Sequence, residues 1–443
     1  MALKTDDFYR CVEPVLGELH TKGLRGRIYS DVIDSNGHQY VDLVMEGGGV
    51  LGIALLGYIY ILEQAGLRFI GLGGASAGSI TALALASLDE PQHEKSTKLI
   101  DILANMPMAN FVDGKDNDDT DSSDFIDTML KRPGLARGLW KGFQVIDNLD
   151  EMMGLNRGEQ FHTWLKKDVL EANGIFTTKA LRARMARTPQ GWHLRADSPH
   201  RISQLEGHDA LPPLDPAKDY LCVVAADIST ETKVEFPRMA SLYWADADAV
   251  HPADYARCSM SIPIFFKPFS LAMSVRDEAH RKLWSEMAGF REHDVKGDFL
   301  PSKCLFVDGG VLSNFPIDVF HNPWKVPTRP TFGVKLQWDE RRHEINKILT
   351  LVTQTFNSAR HCLDYEFIRK NPDFCQLVTY IDTADHDWLD FDTPDKDKLD
   401  LFKRGAVSAL NFLDHFDWSR YKDTRAKLAE ARGAASRPQL LIT

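Results

Sequence analysis

Leu67-Arg68-Phe69-Ile70-Gly71-Leu72-Gly73-Gly74-Ala75-Ser76-Ala77-Gly78 decides the fold of this chain. Residues 67–72 read as a buried strand, Gly73 to Gly78 as its abrupt end, and residues 79–88 as a helix. The same pattern occurs upstream. Gln39 to Met45 is a β-branched and apolar run that stops at Glu46-Gly47-Gly48-Gly49, and residues 50–64 continue as a helix. Strand, helix, strand, helix in that order predicts a parallel α/β sheet. Further strands are expected at 220–225, 303–307 and 331–336, and the last third, about 344–432, reads as mostly helical. Phe8, Cys11, Val12, Val15, Leu16 and Leu19 recur at helical spacing, so an amphipathic helix opens the chain.

The bulk numbers narrow the function classes. The chain has 443 residues, 44% hydrophobic and 26% charged, which is ordinary globular composition and excludes disordered and fibrous proteins. A net charge of -11 argues against nucleic acid as a partner. Six scattered cysteines without a CxxC pair suggest reduced thiols and neither a zinc site nor a disulfide framework. Residues 1–10 hold no apolar stretch, so no secretory signal is expected, and the most apolar runs are shorter than the roughly 20 residues that span a bilayer. These features predict a cytoplasmic protein without a transmembrane helix, whose contact with membranes is peripheral. An acidic run at 113–124 lacks the glycine and distal glutamate of a calcium loop and reads as a solvated loop.

Three stretches carry chemistry. Gly74-Ala75-Ser76-Ala77-Gly78 is a GxSxG between strand and helix, the setting in which a strained turn exposes a serine hydroxyl at a helix N-terminus. Gly74 and Gly78 leave room for that turn; the plainer reading is a small-residue turn with a capping serine. Gly47, Gly48 and Gly49 leave main-chain amides free to converge on an oxyanion. Gly47, Gly49 and Gly52 also satisfy the GxGxxG of a dinucleotide site, but such a site requires an acidic residue at the end of the second strand. That strand ends instead in Ser76, so no nucleotide cofactor is expected. The third stretch is Phe306-Val307-Asp308-Gly309-Gly310-Val311-Leu312-Ser313-Asn314-Phe315-Pro316, an aspartate at the end of an apolar strand, where open α/β sheets place their sites. Asp308 there is either catalytic or a turn former.

Together these blocks resemble the patatin-like phospholipase family. Gly47-Gly48-Gly49, Gly74-Ala75-Ser76-Ala77-Gly78 and Asp308-Gly309-Gly310 stand in that family's order, Ser261-Ile262-Pro263-Ile264-Phe265-Phe266-Lys267-Pro268 resembles its Ser-x-Pro-x-x-Phe segment, and Ala225-Ala226-Asp227 the strand end before it. The anchors run from Val41 to Pro316, with no motif between 89 and 218; many members carry Arg or Lys where this chain has Leu51. The resemblance implies a three-layer α/β/α fold with a mostly parallel central sheet, a Ser-Asp dyad without histidine, and hydrolysis of phospholipid or other lipid esters at a membrane or micelle surface. It makes Ser76 the nucleophile, Asp308 the base, Gly47, Gly48 and Gly49 the oxyanion loop, and Gly309 and Gly310 the turn after the base, with no metal or cofactor. It places the catalytic domain at 41–340, with an insertion at about 105–215, after an N-terminal helix and lead-in at 1–40 and before a helical extension at 341–443.

Burial is expected to raise the Asp308 pKa from the ordinary value near 3.9, since so weak a base must otherwise serve at neutral pH. Two alternatives stay open. An acyltransferase or non-lipid esterase could use the same dyad, and a Ser-His-Asp triad could draw on His321, His343, His361, His386 or His415, all of which follow Asp308. The apolar segments 106–111 and 135–143 are candidates for a lid or rim.

Overall fold

Gln39–Met45 is buried at every position, and so are Leu67–Ala75, Leu221–Asp227 and Thr331–Leu336. Strands covered on both faces lose the polar/apolar alternation of a half-exposed sheet. The computed structural model describes residues 3–111, 153–195, 211–273, 277–291, 300–336, 366–383 and 385–435, with Ile345 and Ser358. Its strands are β1 (Val32–Ile33), β2 (Gln39–Met45), β3 (Leu67–Ala75), β4 (Gly154–Asn156), β5 (His193–Leu194), β6 (Leu221–Asp227), β7 (Thr232–Phe236), β8 (Ile264–Phe266), β9 (Phe269–Ala272), β10 (Lys303–Asp308), β11 (Thr331–Leu336) and β12 (Val378–Ile381). The central run β12-β11-β2-β3-β6 is parallel throughout. Antiparallel β7 and β10 pair with β6, and β9 with β10, so the sheet is mixed with a parallel centre flanked by helices, as expected.

One irregularity sets how the two central strands end. The pairing of β2 with β3 shifts between Val41 and Leu43, where Asp42 faces the extra residue Gly71. Asp42 Oδ1 accepts from the Gly71 amide at 2.8 Å and from Arg329 Nε at 2.8 Å. A side chain on Gly71 would stand 2.6 Å from that carboxylate, so only glycine fits the bulge. Beyond it Met45 pairs with Gly74, which brings the glycine loop after β2 and the serine after β3 off the sheet side by side.

Helices α1 (Thr5–Thr21), α2 (Ile53–Gln64) and α3 (Ala77–Leu88) follow the sequence reading closely, and α4 (Ser96–Ala104) is a helix that reading did not place. A short 3-10 turn at Gly49–Gly52 precedes α2. α2 is buried on nearly every face because the helix Asp395–His415 crosses it at backbone contact: a Cβ on Gly57 would collide with Phe402 O, and one on Gly405 with Ala54 O. The helical C-terminal third also contributes β12, which pairs with β11.

Candidate active site

Ser76 sits at φ 48 and ψ -123, a conformation that costs a non-glycine residue about 1–3 kcal/mol. Its surroundings hold it there. The Ser76 amide donates to Ser259 Oγ at 2.9 Å, and Ser259 Oγ donates onward to Val224 O at 2.6 Å. The Ser76 carbonyl accepts from Ser79 Oγ at 2.6 Å and from the Ile80 amide at 3.1 Å. Gly74 and Gly78 allow the close passage, since a side chain on Gly74 would meet the Gly78 carbonyl carbon at 2.4 Å and one on Gly78 would meet Met45 O at 2.2 Å.

The register of β6 brings Asp308 to the same place. Residues Val223 and Val224 pair with β3 on one edge and β7 on the other, while Ala225, Ala226 and Asp227 pair with β7 and β10. β3 and β10 therefore share one edge of β6 and meet end to end. Ala75 pairs with Val224, and Asp308 pairs with the next residue, Ala225. Asp308 Oδ1 accepts from the Gly310 amide at 2.7 Å, and the Asp308 amide donates to Ser261 O at 2.9 Å, which ties the aspartate to the segment 261–268. Gly309 passes so close to β6 that a side chain there would stand 2.0 Å from Val224 O. Ser76 and Asp308 are each 6% exposed.

The glycine loop closes over Ser76. A methyl group on Gly47 would lie 2.9 Å from Ser76 Cβ. The Gly47 amide, expected among the oxyanion donors, donates to Asn314 O at 3.1 Å, and Gly47 O accepts from Asn314 Nδ2 at 3.0 Å. Gly47 thus acts by close packing and anchorage. The Gly48 and Gly49 amides have no acceptor among the described residues. Gly49 adopts φ 55 beneath the Trp388 carbonyl, which also accepts from the Val50 amide at 3.1 Å. Glu46, one residue ahead of the glycines, is buried and paired: Lys335 Nζ donates to Oε1 at 2.7 Å and the Leu336 amide to Oε2 at 2.7 Å. Leu51, two residues past Gly49, is buried and brings no charge to the loop.

Comparison with known proteins settles the kinship, since the profile of Patatin-like phospholipase matches residues 43–321. The chain belongs to the patatin-like phospholipase family. It is 26% identical over 382 residues to the protein YqhO of Bacillus subtilis (strain 168), spanning 86% of this patatin-like chain and all of that protein. Among solved structures it is similar to VipD from Legionella pneumophila, at 14% identity and a TM-score of 0.40 over 88% of this chain and 71% of that one. It is also similar to the ExoU-SpcU complex of the Pseudomonas aeruginosa type III secretion system, at 14% identity and a TM-score of 0.32, over 89% of this chain and 59% of that one.

In this patatin-like chain Ser76 borders a cavity enclosing about 860 Å³ of empty space, its open mouth included. α2, α3 and α4 supply Ile53, Leu56, Ile80, Ala84, Leu99 and Leu103 to its walls; Phe111, Phe161 and Trp164 pack against one another at the far side, with centroids 5.2 to 6.1 Å apart. The candidate rim segment 106–111 contributes Met106, Met108 and Phe111 to that wall, with Met108 and Phe111 buried, while 135–143 lies outside the described residues. No helix among the described residues is long and apolar enough to cross a membrane, and none of them forms a cluster that could hold a metal ion.

His343 and His361 lie outside the described residues. The remaining candidates are engaged elsewhere: His386 Nε2 with Asp400 at 3.0 Å, His415 Nδ1 with Asn411 O at 2.7 Å, and His321 against the rings of Phe367 and Phe374. None of these three lines the cavity. Sequence reasoning missed Ser259 and the Glu46–Lys335 pair, and it quoted Asn314 without giving it a role. Ser259 stands two residues before the Ser-x-Pro block, and polar residues inside otherwise apolar runs were the signal available.

Proposed function

We propose that the chain is a lipid acyl hydrolase of the phospholipase A or lysophospholipase type, working through an acyl-Ser76 intermediate with Asp308 as base. The observation that carries this reading is the end-to-end meeting of β3 and β10 on one edge of β6, where Ala75, the residue before Ser76, and Asp308 pair with the neighbouring residues Val224 and Ala225. The apolar cavity beside Ser76 suits an acyl chain, because its lining offers that chain the same environment as a lipid interior.

Ser76 Oγ attacks the ester carbonyl as its proton passes to Asp308. The electron pair of the carbonyl moves to its oxygen, which the Gly48 and Gly49 amides receive; each such donor contributes about 2.7–4 kcal/mol to lowering the barrier. Collapse expels the lipid alcohol, which takes the proton from Asp308. Water then repeats the sequence on the acyl-serine and releases the fatty acid. The Gly310 amide donates to Oδ1 of Asp308, which fixes the orientation of the carboxylate.

The test is fatty-acid release from phosphatidylcholine and lysophosphatidylcholine in mixed micelles, run beside covalent labelling with a fluorophosphonate. Ser76→Ala is expected to abolish both, and Asp308→Asn to abolish release and slow labelling by several orders of magnitude. Wild-type labelling in Ser76→Ala rules out the nucleophile, and single-histidine variants that lose labelling rule out the dyad.

A further inference from the structure

Glu46, the residue ahead of the glycine run, directs its amide and both carboxylate oxygens at one short piece of β11. The amide donates to Val334 O at 3.0 Å, Oε1 accepts from Lys335 Nζ, and Oε2 accepts from the Leu336 amide, the last two at 2.7 Å. Leu336 is the residue on which Gly48 rests. A side chain on Gly48 would stand 2.7 Å from Leu336 Cδ1 and 3.5 Å from its Cβ. Lys335 Nζ lies 4.6 Å from the centroid of the Phe315 ring, and Phe315 follows Asn314, whose side-chain nitrogen donates to Gly47 O. The glycine run is thus gripped at Gly47 and at Gly48 by two groups that Phe315 and Lys335 join.

An ion pair at this depth calls for a reason other than stability. The Glu46 and Lys335 side chains are 1% and 6% exposed, and stripping water from two such charges offsets their attraction. Apolar residues of similar volume would hold the sheet as well or better. What apolar contact does not supply is direction. A carboxylate with one oxygen on the Leu336 amide and the other on Lys335 Nζ fixes its own orientation and that of the strand end beneath Gly48.

We propose that Glu46, neutralised by Lys335, is the positioning residue of the oxyanion loop: it holds Leu336 under Gly48, so that the Gly48 and Gly49 amides stay aimed at the oxygen of the reacting carbonyl. The inference rests on the acyl-serine reading above. Consecutive glycines sample more main-chain directions than any other residues, so a loop built of them needs an external fix. Neither Glu46 nor Lys335 lines the cavity. Their effect therefore falls on kcat and not on KM, because donors aimed at a developing oxyanion act in the transition state and not on the bound ester.

The experiment separates aim from stability by removing both charges together, so that neither is left buried alone. The full chain carries Glu46→Leu with Lys335→Met, the methionine keeping a contact for the Phe315 ring. Its urea midpoint is expected to equal or exceed that of wild type. Its kcat on p-nitrophenyl butyrate and its rate of fluorophosphonate labelling are expected to fall about 10- to 100-fold at unchanged KM. Glu46→Gln with Lys335→Met gives the Leu336 amide its acceptor back but buries an unpaired NH2. This second variant is expected to unfold at lower urea than the first, yet to turn over at least about 5-fold faster. Activity then runs opposite to stability. Activity that follows stability across the two variants overturns the inference and leaves the pair as an anchor of the fold. So does a first variant that keeps the wild-type labelling rate, or one that does not fold. A wild type that neither cleaves the ester nor takes the label fails the acyl-serine reading itself, and this inference falls with it.

Discussion

Replacing Ser259 by alanine tests how Ser76, the proposed nucleophile, is held. Its hydroxyl is fully buried and serves two main-chain groups at once, accepting from the Ser76 amide and donating to Val224 O. Alanine deletes both bonds and little volume. Each buried main-chain group left unpaired costs about 1–3 kcal/mol, and the strain at Ser76, about 1–3 kcal/mol, loses the contact that opposes its release. If roughly 1.4 to 2.7 kcal/mol of this falls on the reactive conformation, acylation slows about 10- to 100-fold. KM for a micellar lipid is expected to stay unchanged, because Ser259 does not line the cavity. The assay is the second-order rate of fluorophosphonate labelling, which reports on Ser76 alone, measured beside a urea unfolding curve. A labelling rate within two-fold of wild type, together with a lowered unfolding midpoint, would refute the reasoning and confine Ser259 to fold stability.

Two further outcomes follow from other parts of the molecule. Ala84 lines the cavity two helical turns beyond Ser76, about 12 Å along α3, so Ala84→Phe is expected to retain p-nitrophenyl butyrate hydrolysis and to lose palmitate hydrolysis at least tenfold; equal loss on both esters would disconnect the cavity from the acyl chain. Burial first, and then the Arg425 cation, push the His321 imidazole down from its ordinary 6.5 to about 4. The unfolded chain therefore binds a proton that the folded one refuses, and the stability present above pH 6.5 is lost as pH falls toward 4. His321→Gln is expected to flatten the urea midpoint over that range, and a profile as steep as wild type would show that another group is responsible.

Much of the site was legible because its chemistry is local in sequence. A glycine run that ends one strand and a GxSxG that ends the next each define a main-chain shape within a few residues. What connects distant segments was not. Ser259 lies 183 residues from the amide it binds, and a serine amid apolar neighbours reads as packing until that partner is known. Strand β3 runs three residues past its expected end at Leu72, since the ladders to β2 and β6 override the weak strand preference of Gly73, Gly74 and Ala75. The same override hides β12 in a helical stretch. α2, apolar all round, gave no hint of its partner, because the signal is the pair Gly57 and Gly405, whose meaning appears only when the two helices cross.

The bulge at Gly71 has a consequence for how this chain can vary. Side chains alternate between the faces of a strand, so each residue gained or lost inverts everything downstream. Phe69 and Leu72, three apart, pair with Val41 and Leu43, two apart, so the bulge absorbs one residue and keeps β3 in step with β2 on both sides of it. A one-residue deletion between Gly71 and Ser76 has no such bulge to absorb it and would turn the Ser76 hydroxyl toward the opposite layer. Length between the bulge and the serine is accordingly as constrained as the serine itself.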